Sequence, residues 1–342
     1  MTEFQPPYFV GLDVGGTTMK AGVVDDAGRP LAFIDAQGNC LCPASLPTEP
    51  ERGQEAGLER MCEAIRLAVS RAQLELAQIA AIGVATPGLM DIKAGVILDP
   101  PNLRPWQNVP VRQHIADVFK VPTAFQNDAN AAAFGEYWIG AGRGASSMVL
   151  FTLGTGVGGG IILGGKVLEG EHSHGAELGH IRIELSNPRQ CGCGRWGCLE
   201  AYASATAVVK RTQEALEKDA GRSRLHRLVH SRKNLTAKLV FEAAEGGDEL
   251  AARMVEETAY YLAVGATNLM HTIDPDVVVF AGGMVAAGEG FLQRIRDQVR
   301  RLAFPVPAER TVIRYAELGT DAGFIGAAAC GRQLYYADKA SS

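Results

Sequence analysis

One unusual unit occurs at two distant places in the chain. FVGLDVGGTTMKAGVV (Phe9 to Val24) and MVLFTLGTGVGGGIIL (Met148 to Leu163) each join an apolar, β-branched run, a turn of glycines and threonines, and a second apolar run. Each reads as two buried strands around a Gly-rich turn. A repeated unit of this kind implies two related domains facing each other, and 342 residues are enough for two cores. The second copy lies within an uncharged run, Ala145 to Gly165, long enough to cross a bilayer. Its central glycines break any helix, so two strands are expected there and a membrane span is not.

Between the copies the pattern predicts a strand at Ile34, a helix over Leu58 to Gln73, a strand over Ile79 to Ala85 and a helix over Val111 to Phe119. In the first helix Leu58, Met61, Ile65, Ala68 and Ala72 form one apolar stripe. From Thr123 a short strand leads into NDANAAAFGEYW, an Asn/Asp-led start to an Ala-rich helix. Further helices are expected over Leu199 to Lys218, Ala237 to Glu245, Asp248 to His271 and Phe291 to Leu302. DPDVVVFAGG reads as a buried strand running into a Gly turn, and a last helix, Ala322 to Tyr336, is expected to pack back on the first domain. The alternation gives an α/β class with mixed sheets. Cys40 to Pro50 and Asp219 to Arg227 read as linkers. The expected division is a small domain, 1–122 plus 321–338, and a large domain, 123–320.

Charged residues make up 21% of the chain and the formal net charge is −5, without a long run of either sign, so a nucleic-acid surface is not expected. The N-terminus lacks a basic region followed by an apolar stretch, so a secretory signal is not expected either. A reducing cytoplasm follows, where clustered cysteines point to metal more than to disulfide.

Chemistry concentrates in a few stretches. In LDVGGTTMK (Leu12 to Lys20) a strand ends in Asp13, Gly15 and Gly16 let backbone amides approach a phosphate, and Thr17 and Thr18 add hydroxyls. Asp13 is a candidate to hold Mg²⁺ through water. The turn leads to a strand and not a helix, so it is neither a Walker nor a Rossmann motif, and a plain glycine hairpin is the alternative. GTGVGGG, with Gly154, Thr155 and Gly156, offers a second such turn, and the pair is suited to gripping a nucleotide's phosphates. FAGGM, with Gly282 and Gly283, is a candidate adenosine loop or simply a tight turn. Asp128, just ahead of a helix, suits a general base, although position alone favours a helix cap. His180, Cys191, Cys193 and Cys198 form a Cys₃His set suited to tetrahedral zinc. The close C-x-C spacing disfavours an internal disulfide, and with four protein ligands the metal would be structural. Cys62 and Cys330 read as core residues. Cys40 and Cys42 have no assigned role, and His172 and His174 read as solvated loop histidines.

DVGGTTMK, GVATPGLMD, PNL followed by Trp106, NDANAA, GTGVGGG, GAELGH, CGCGRWGCLE and VVVFAGG follow one another along nearly the whole chain. In this the chain resembles the ROK family of repressors, open reading frames and sugar kinases, with its actin-like ATPase (ribonuclease H-like) fold of two α/β domains around a cleft. The resemblance implies an ATP-dependent sugar kinase, with a motif set similar to that of bacterial glucokinases, acting on the 6-hydroxyl of glucose. N-acetylmannosamine, fructose, mannose and allose are alternative acceptors. It implies Asp128 as catalytic base, sugar contacts from Asn102, Asn127, Asp128, Glu177, His180 and Glu200, and a sugar-side loop at Pro87 and Gly88. His180 would serve both zinc and sugar, one ring nitrogen to each. Mg-ATP, one structural zinc per chain, domain closure on the sugar and a homodimer or homotetramer are also implied. Repressors of the family carry a helix-turn-helix domain ahead of the first phosphate loop. Only Met1 to Tyr8 precede the first strand here, so a kinase is expected over a DNA-binding regulator.

Overall fold

The computed structural model describes residues 4–341 apart from 36, 39, 220 and 229–233. In chain order the elements are β1 (Tyr8–Val14), β2 (Thr18–Val24), β3 (Ala44–Pro47), α1 (Gln54–Arg71), β4 (Ile79–Thr86), β5 (Leu89–Asp91), β6 (Val96–Asp99), α2 (Val111–Phe119), β7 (Thr123–Asn127) and α3 (Asp128–Ile139). There follow β8 (Ser147–Leu153), β9 (Val157–Leu163), β10 (Lys166–Val167), α4 (Glu200–Ala203), α5 (Ala205–Leu216), α6 (Leu225–Leu228), α7 (Ala237–Glu245) and α8 (Glu249–Ile273). β11 (Val277–Ala281), α9 (Gly288–Leu302), α10 (Pro305–Arg310), β12 (Val312–Tyr315) and α11 (Ala322–Ser341) complete the chain. No described helix is long and apolar enough to cross a membrane, and the uncharged run 145–165 carries β8 and β9.

The chain divides into two compact units, one of Met1–Gly144, Gly160–Ala176 and Glu317–Ser342, the other of Ala145–Gly159 and Glu177–Ala316. The first unit is built on a sheet of order β3-β2-β1-β4-β7, with β1 antiparallel to β2 and parallel to β4. On one face Leu12, Met19 and Ile82 pack with Met61 and Ile65 of α1 and Ile115 of α2. The other face carries Phe9, Val24 and Ala81 under Phe324, Ile325 and Ala328 of α11, as expected for a closing helix. The second unit takes its strands from a sheet of order β10-β9-β8-β11-β12, where β11 runs parallel to β8 and β12. Phe151 and Phe280 stack across β8 and β11 at 5.4 Å.

Several elements differ from the sequence reading. β7 pairs in parallel with β4, register Thr86↔Asn127, so Asn127 and Asp128 belong to the first unit and not to the one expected to begin at Thr123. Part of the expected linker Cys40 to Pro50 is β3, an edge strand against β2. Edge position is what allows proline in it, because the missing N–H has no ladder partner to lose. Ile34 makes a single bridge to Cys40 and is 72% exposed, so no strand forms there. The helix expected over Leu199 to Lys218 is two, because the Ser204 side chain accepts the Ala207 amide and starts α5 afresh. In the other expected linker Asp219 accepts the Ser223 amide and α6 begins at Leu225, while residue 220 lies outside the described residues.

Candidate active site

In the first unit β1 and β2 meet at the turn Gly15 to Thr17, closed by the Gly15 amide on the Thr18 carbonyl at 2.9 Å. Thr48, just past β3, pins the turn from the side: its Oγ1 donates to the Gly15 carbonyl at 2.7 Å and its amide to that of Thr17 at 2.9 Å. Gly16 lies against Asn102, where an added Cβ would stand 3.0 Å from the Asn102 carbonyl oxygen and 3.3 Å from its Cβ. Asn102 is placed by the 3₁₀ turn Pro101–Leu103, held in turn by fully buried Trp106, whose indole donates to the Pro50 carbonyl at 3.1 Å. Gly88 follows β4 and opens the β5–β6 hairpin.

Asp13, next to last in β1, lies beside Lys20, its cross-strand partner, and beneath the first turn of α11, where Gly323 leaves room for its carboxylate. Burial, then the charge of Asp128, push Asp13 up from 3.8 to about 6, with Lys20 pulling the other way. Asp128 is the first residue of α3. Asn127 is the N-cap, its Oδ1 accepting the amides of Ala129 and Asn130 at 3.0 and 3.2 Å, and Asp128 Oδ1 shares the Ala129 amide at 2.8 Å, so the capping contact expected of Asp128 is made in part. Asn127 therefore has only its Nδ2 donor left for a ligand. Lys20 donates to the Thr320 carbonyl at 3.2 Å.

The second unit repeats the device. The Gly154 amide closes the second turn on the Gly156 carbonyl at 3.0 Å, and α5 begins against it: the Ala205 amide meets the Gly154 carbonyl at 2.9 Å and Thr206 Oγ1 that of Thr155 at 2.7 Å. Among the described residues no partner takes the amides of Gly16 and Thr17, or of Thr155 and Gly156, so each turn keeps donors for an anion. Beside the second turn, Glu177 leads into the 3₁₀ turn Leu178–His180. It can approach because Gly179 has no side chain: a Cβ there would collide with the Val157 carbonyl. Glu177 and His180 are both exposed.

His180, Cys191, Cys193 and Cys198 converge, with one ligand atom from each within 4.8 Å of all the others. His180 Nδ1 lies 3.9 Å from Cys191 Sγ, and Cys193 Sγ lies 3.9 Å from Cys198 Sγ. A tetrahedral zinc with ~2.3 Å bonds to sulfur sets such edges at about 3.8 Å, so the donor set fits that ion. The same separations are far beyond a disulfide, and all seven cysteines are free. The knuckle is zipped by Ile183 to Gly197 and Leu199 to Ile181 backbone bonds of 2.8 and 2.9 Å. Glu200 then reaches both features: Oε2 accepts the Val157 amide at 3.0 Å, and Oε1 lies 3.4 Å from Cys191 Sγ.

Gly154, Thr155 and Gly283 line one cavity of about 430 Å³, with Phe241, Lys238 and Met284 among its walls. Gly282, at φ 92°, sits against the backbone of Leu153 and turns β11 into the 3₁₀ helix Gly283–Ala287. A purine is flat and this wall is apolar along Phe241 and Met284. Residue patterns do not mark α7 as a wall, because its buried face, Val240, Phe241 and Ala243, reads as ordinary core.

The model of the ROK family matches residues 9–333. The chain belongs to the ROK family. It is 35% identical over 319 residues, 93% of each chain, to a glucokinase of Halalkalibacterium halodurans. Among solved structures it is similar to the ROK hexokinase of Thermus thermophilus, at 34% identity and a TM-score of 0.79, covering 98% of this chain and 100% of that one. It is also similar to a ROK glucokinase of Streptomyces griseus in complex with glucose and AMPPNP, at 34% identity and a TM-score of 0.73, covering 95% and 99%. The expected actin-like ATPase architecture of the ROK family is the fold observed.

Of the expected site residues in this ROK protein, Asp13, Gly15, Gly16, Thr17, Thr18, Lys20, Gly88, Asn102, Asn127 and Asp128 fall in the first unit. Gly154, Thr155, Gly156, Glu177, His180, Cys191, Cys193, Cys198, Glu200, Gly282 and Gly283 fall in the second. His172 and His174 are exposed, and the loop they share is tied down by Ser173 Oγ, which accepts the Ile92 amide at 2.9 Å. Cys62 is buried as expected, while Cys40 is exposed.

Proposed function

We propose that this chain is an ATP-dependent hexose kinase that transfers the γ-phosphoryl group of Mg-ATP to the 6-hydroxyl of glucose. The observation that carries the reading is the placement of two carboxylates at one end of the same sheet: Asp13 pairs with Ala85 near the end of β1, and Asp128 directly follows β7, whose Asn127 pairs with Thr86. Such a pair divides two tasks, one group holding a cation and the other taking a proton. The glucokinases and hexokinase among the relatives support the acceptor.

Asp128 stands at the positive end of α3, which favours its ionised form. It accepts the proton of the sugar's O6 as that oxygen attacks the γ-phosphorus. Asn127 Nδ2 and Asn102 hold neighbouring hydroxyls, and Glu177 selects among them. The free amides of each glycine turn are donors suited to phosphate oxygens, and the cavity beside Gly283 takes the adenosine. Because phosphoryl transfer passes through a loose transition state, alignment and charge stabilisation carry much of the acceleration.

Asp13 would hold Mg²⁺ through water, and a bound cation supplies the positive charge that both this buried carboxylate and the phosphates require. Zinc on His180 Nδ1 and the three cysteines would fix the ring so that Nε2 donates to a sugar hydroxyl. Phosphorus–proton correlation NMR of the glucose product tests the reading: phosphate on C6 supports it, and phosphate on another carbon, or unmodified glucose, overturns it.

A further inference from the structure

The turn that carries Asp128 is wired from behind by a buried amide. Gln126 is 3% exposed, and its Oε1 accepts both the Asn127 amide at 2.8 Å and Asn130 Nδ2 at 3.1 Å. Its Nε2 donates to Glu169 Oε1 at 2.8 Å. Asn130 is equally buried, and its own Oδ1 has no partner among the described residues. The orientation of the Gln126 amide is therefore fixed by two donors on one side and a carboxylate on the other.

Only a group that accepts and donates at once fills this position. A carboxylate at 126 would face that of Glu169 across the same 2.8 Å, and an aliphatic side chain would take the partner from buried Asn130 Nδ2 and from the half-buried Asn127 amide and Glu169 carboxylate. Glu169 starts the loop that runs through Ser173 to Glu177, and its carbonyl accepts the Gly175 amide at 2.7 Å. Gln126 thus links that loop to the amide of Asn127, the residue that caps α3 and precedes the base.

We propose that Gln126 is a positioning residue for phosphoryl transfer, holding the Asn127–Asp128 turn in register with the Glu169 loop. The inference rests on the kinase reading above for its effect on rate, and on the hydrogen bonds alone for its effect on the turn. Misplacing reacting groups by about 1 Å costs roughly a hundredfold, which sets the scale expected.

The network makes an exchange possible. In Gln126→Glu combined with Glu169→Gln, donor and acceptor trade places and every bond is remade. Steady-state kinetics with glucose and ATP should show kcat falling by about ten- to a hundredfold in Gln126→Glu and Gln126→Leu, with KM for ATP unchanged. The double exchange should recover kcat to within about threefold of wild type. Hydrogen exchange at the Asn127 amide, read in the same proteins, should quicken in Gln126→Glu and return in the double variant. A merely structural role would lower Tm while leaving kcat per folded molecule intact. Unchanged kcat in Gln126→Glu, or a double variant no faster than Gln126→Glu, overturns the proposal. A wild-type chain without turnover, whose Asn127 exchange still follows the swap, overturns the kinase reading and leaves the wiring standing. Exchange that ignores the swap overturns the wiring.

Discussion

The Val157 amide donates to Glu200 Oε2 at 3.0 Å, while the other oxygen of that carboxylate lies 3.4 Å from Cys191 Sγ. One side chain thereby ties the second glycine turn to the cysteine cluster, whereas Glu177 projects from its 3₁₀ turn into solvent. The two acids should therefore separate on mutation. Glu177→Gln should alter the ranking of hexoses while leaving Tm unchanged. Glu200→Ala should lower Tm and raise KM for ATP as well, since a charged hydrogen bond of about 1.5 to 3 kcal/mol is lost at the turn. Thermal melts and kinetics over several sugars check this, and identical behaviour of the two variants contradicts it.

Gly179 offers a test of the packing of Glu177 to His180 against the second turn. A methyl group there meets the Val157 carbonyl, so Gly179→Ala should destabilise the chain by roughly 1 to 3 kcal/mol and weaken sugar binding. Gly283→Ala is the control, because nothing lies within 4 Å of its added Cβ. Equal urea midpoints for the two variants would show that the approach is not tight.

Asp13 makes stability depend on pH in a direction set by its burial and by Asp128. With a folded pKa near 6 against an ordinary 3.8, the native state binds the proton more tightly than the unfolded chain does. Stability is therefore lost as pH rises from about 4 to about 6, and the loss is complete above that range. Asp13→Asn should be the more stable protein at pH 7.5 by roughly 1 to 3 kcal/mol, with the difference gone near pH 4. It should also lose kcat/KM for Mg-ATP. Parallel melts of both proteins across pH give the answer, and a gap that widens toward pH 4 would reverse the sign.

If the four converging ligands hold zinc, elemental analysis should give about one ion per chain, and a chelator should lower Tm. Cys193→Ala should reduce both metal content and sugar affinity, because the His180 ring loses its fixed orientation. Well-folded, active protein without zinc contradicts the assignment.

Much of this architecture is legible from residue patterns. The stripe of α1, the bounds of α2 and the two glycine hairpins follow from apolar periodicity and turn chemistry, and the Cys₃His set from spacing alone. Other features depend on partners distant in sequence. β3 is a strand only because β2 offers it an edge. Asp128 belongs with Asp13 because β7 pairs beside β4, a choice of neighbour that a five-residue run does not encode. The N-cap of α3 is Asn127, with Asp128 sharing the Ala129 amide, a division decided by backbone angle. The double engagement of Glu200 and the wall contributed by α7 become visible only once the chain is folded.

The central claim is phosphoryl transfer from ATP to a hexose with Asp128 as base. Coupled measurement of ADP release over a panel of glucose, mannose, fructose, allose and N-acetylmannosamine, for wild type and Asp128→Asn, tests it most directly. Wild type should turn over glucose fastest, and the variant should lose on the order of 10² to 10⁴ in kcat while still binding sugar. Near-normal turnover by Asp128→Asn, or no sugar-dependent ADP release by wild type, would contradict the account.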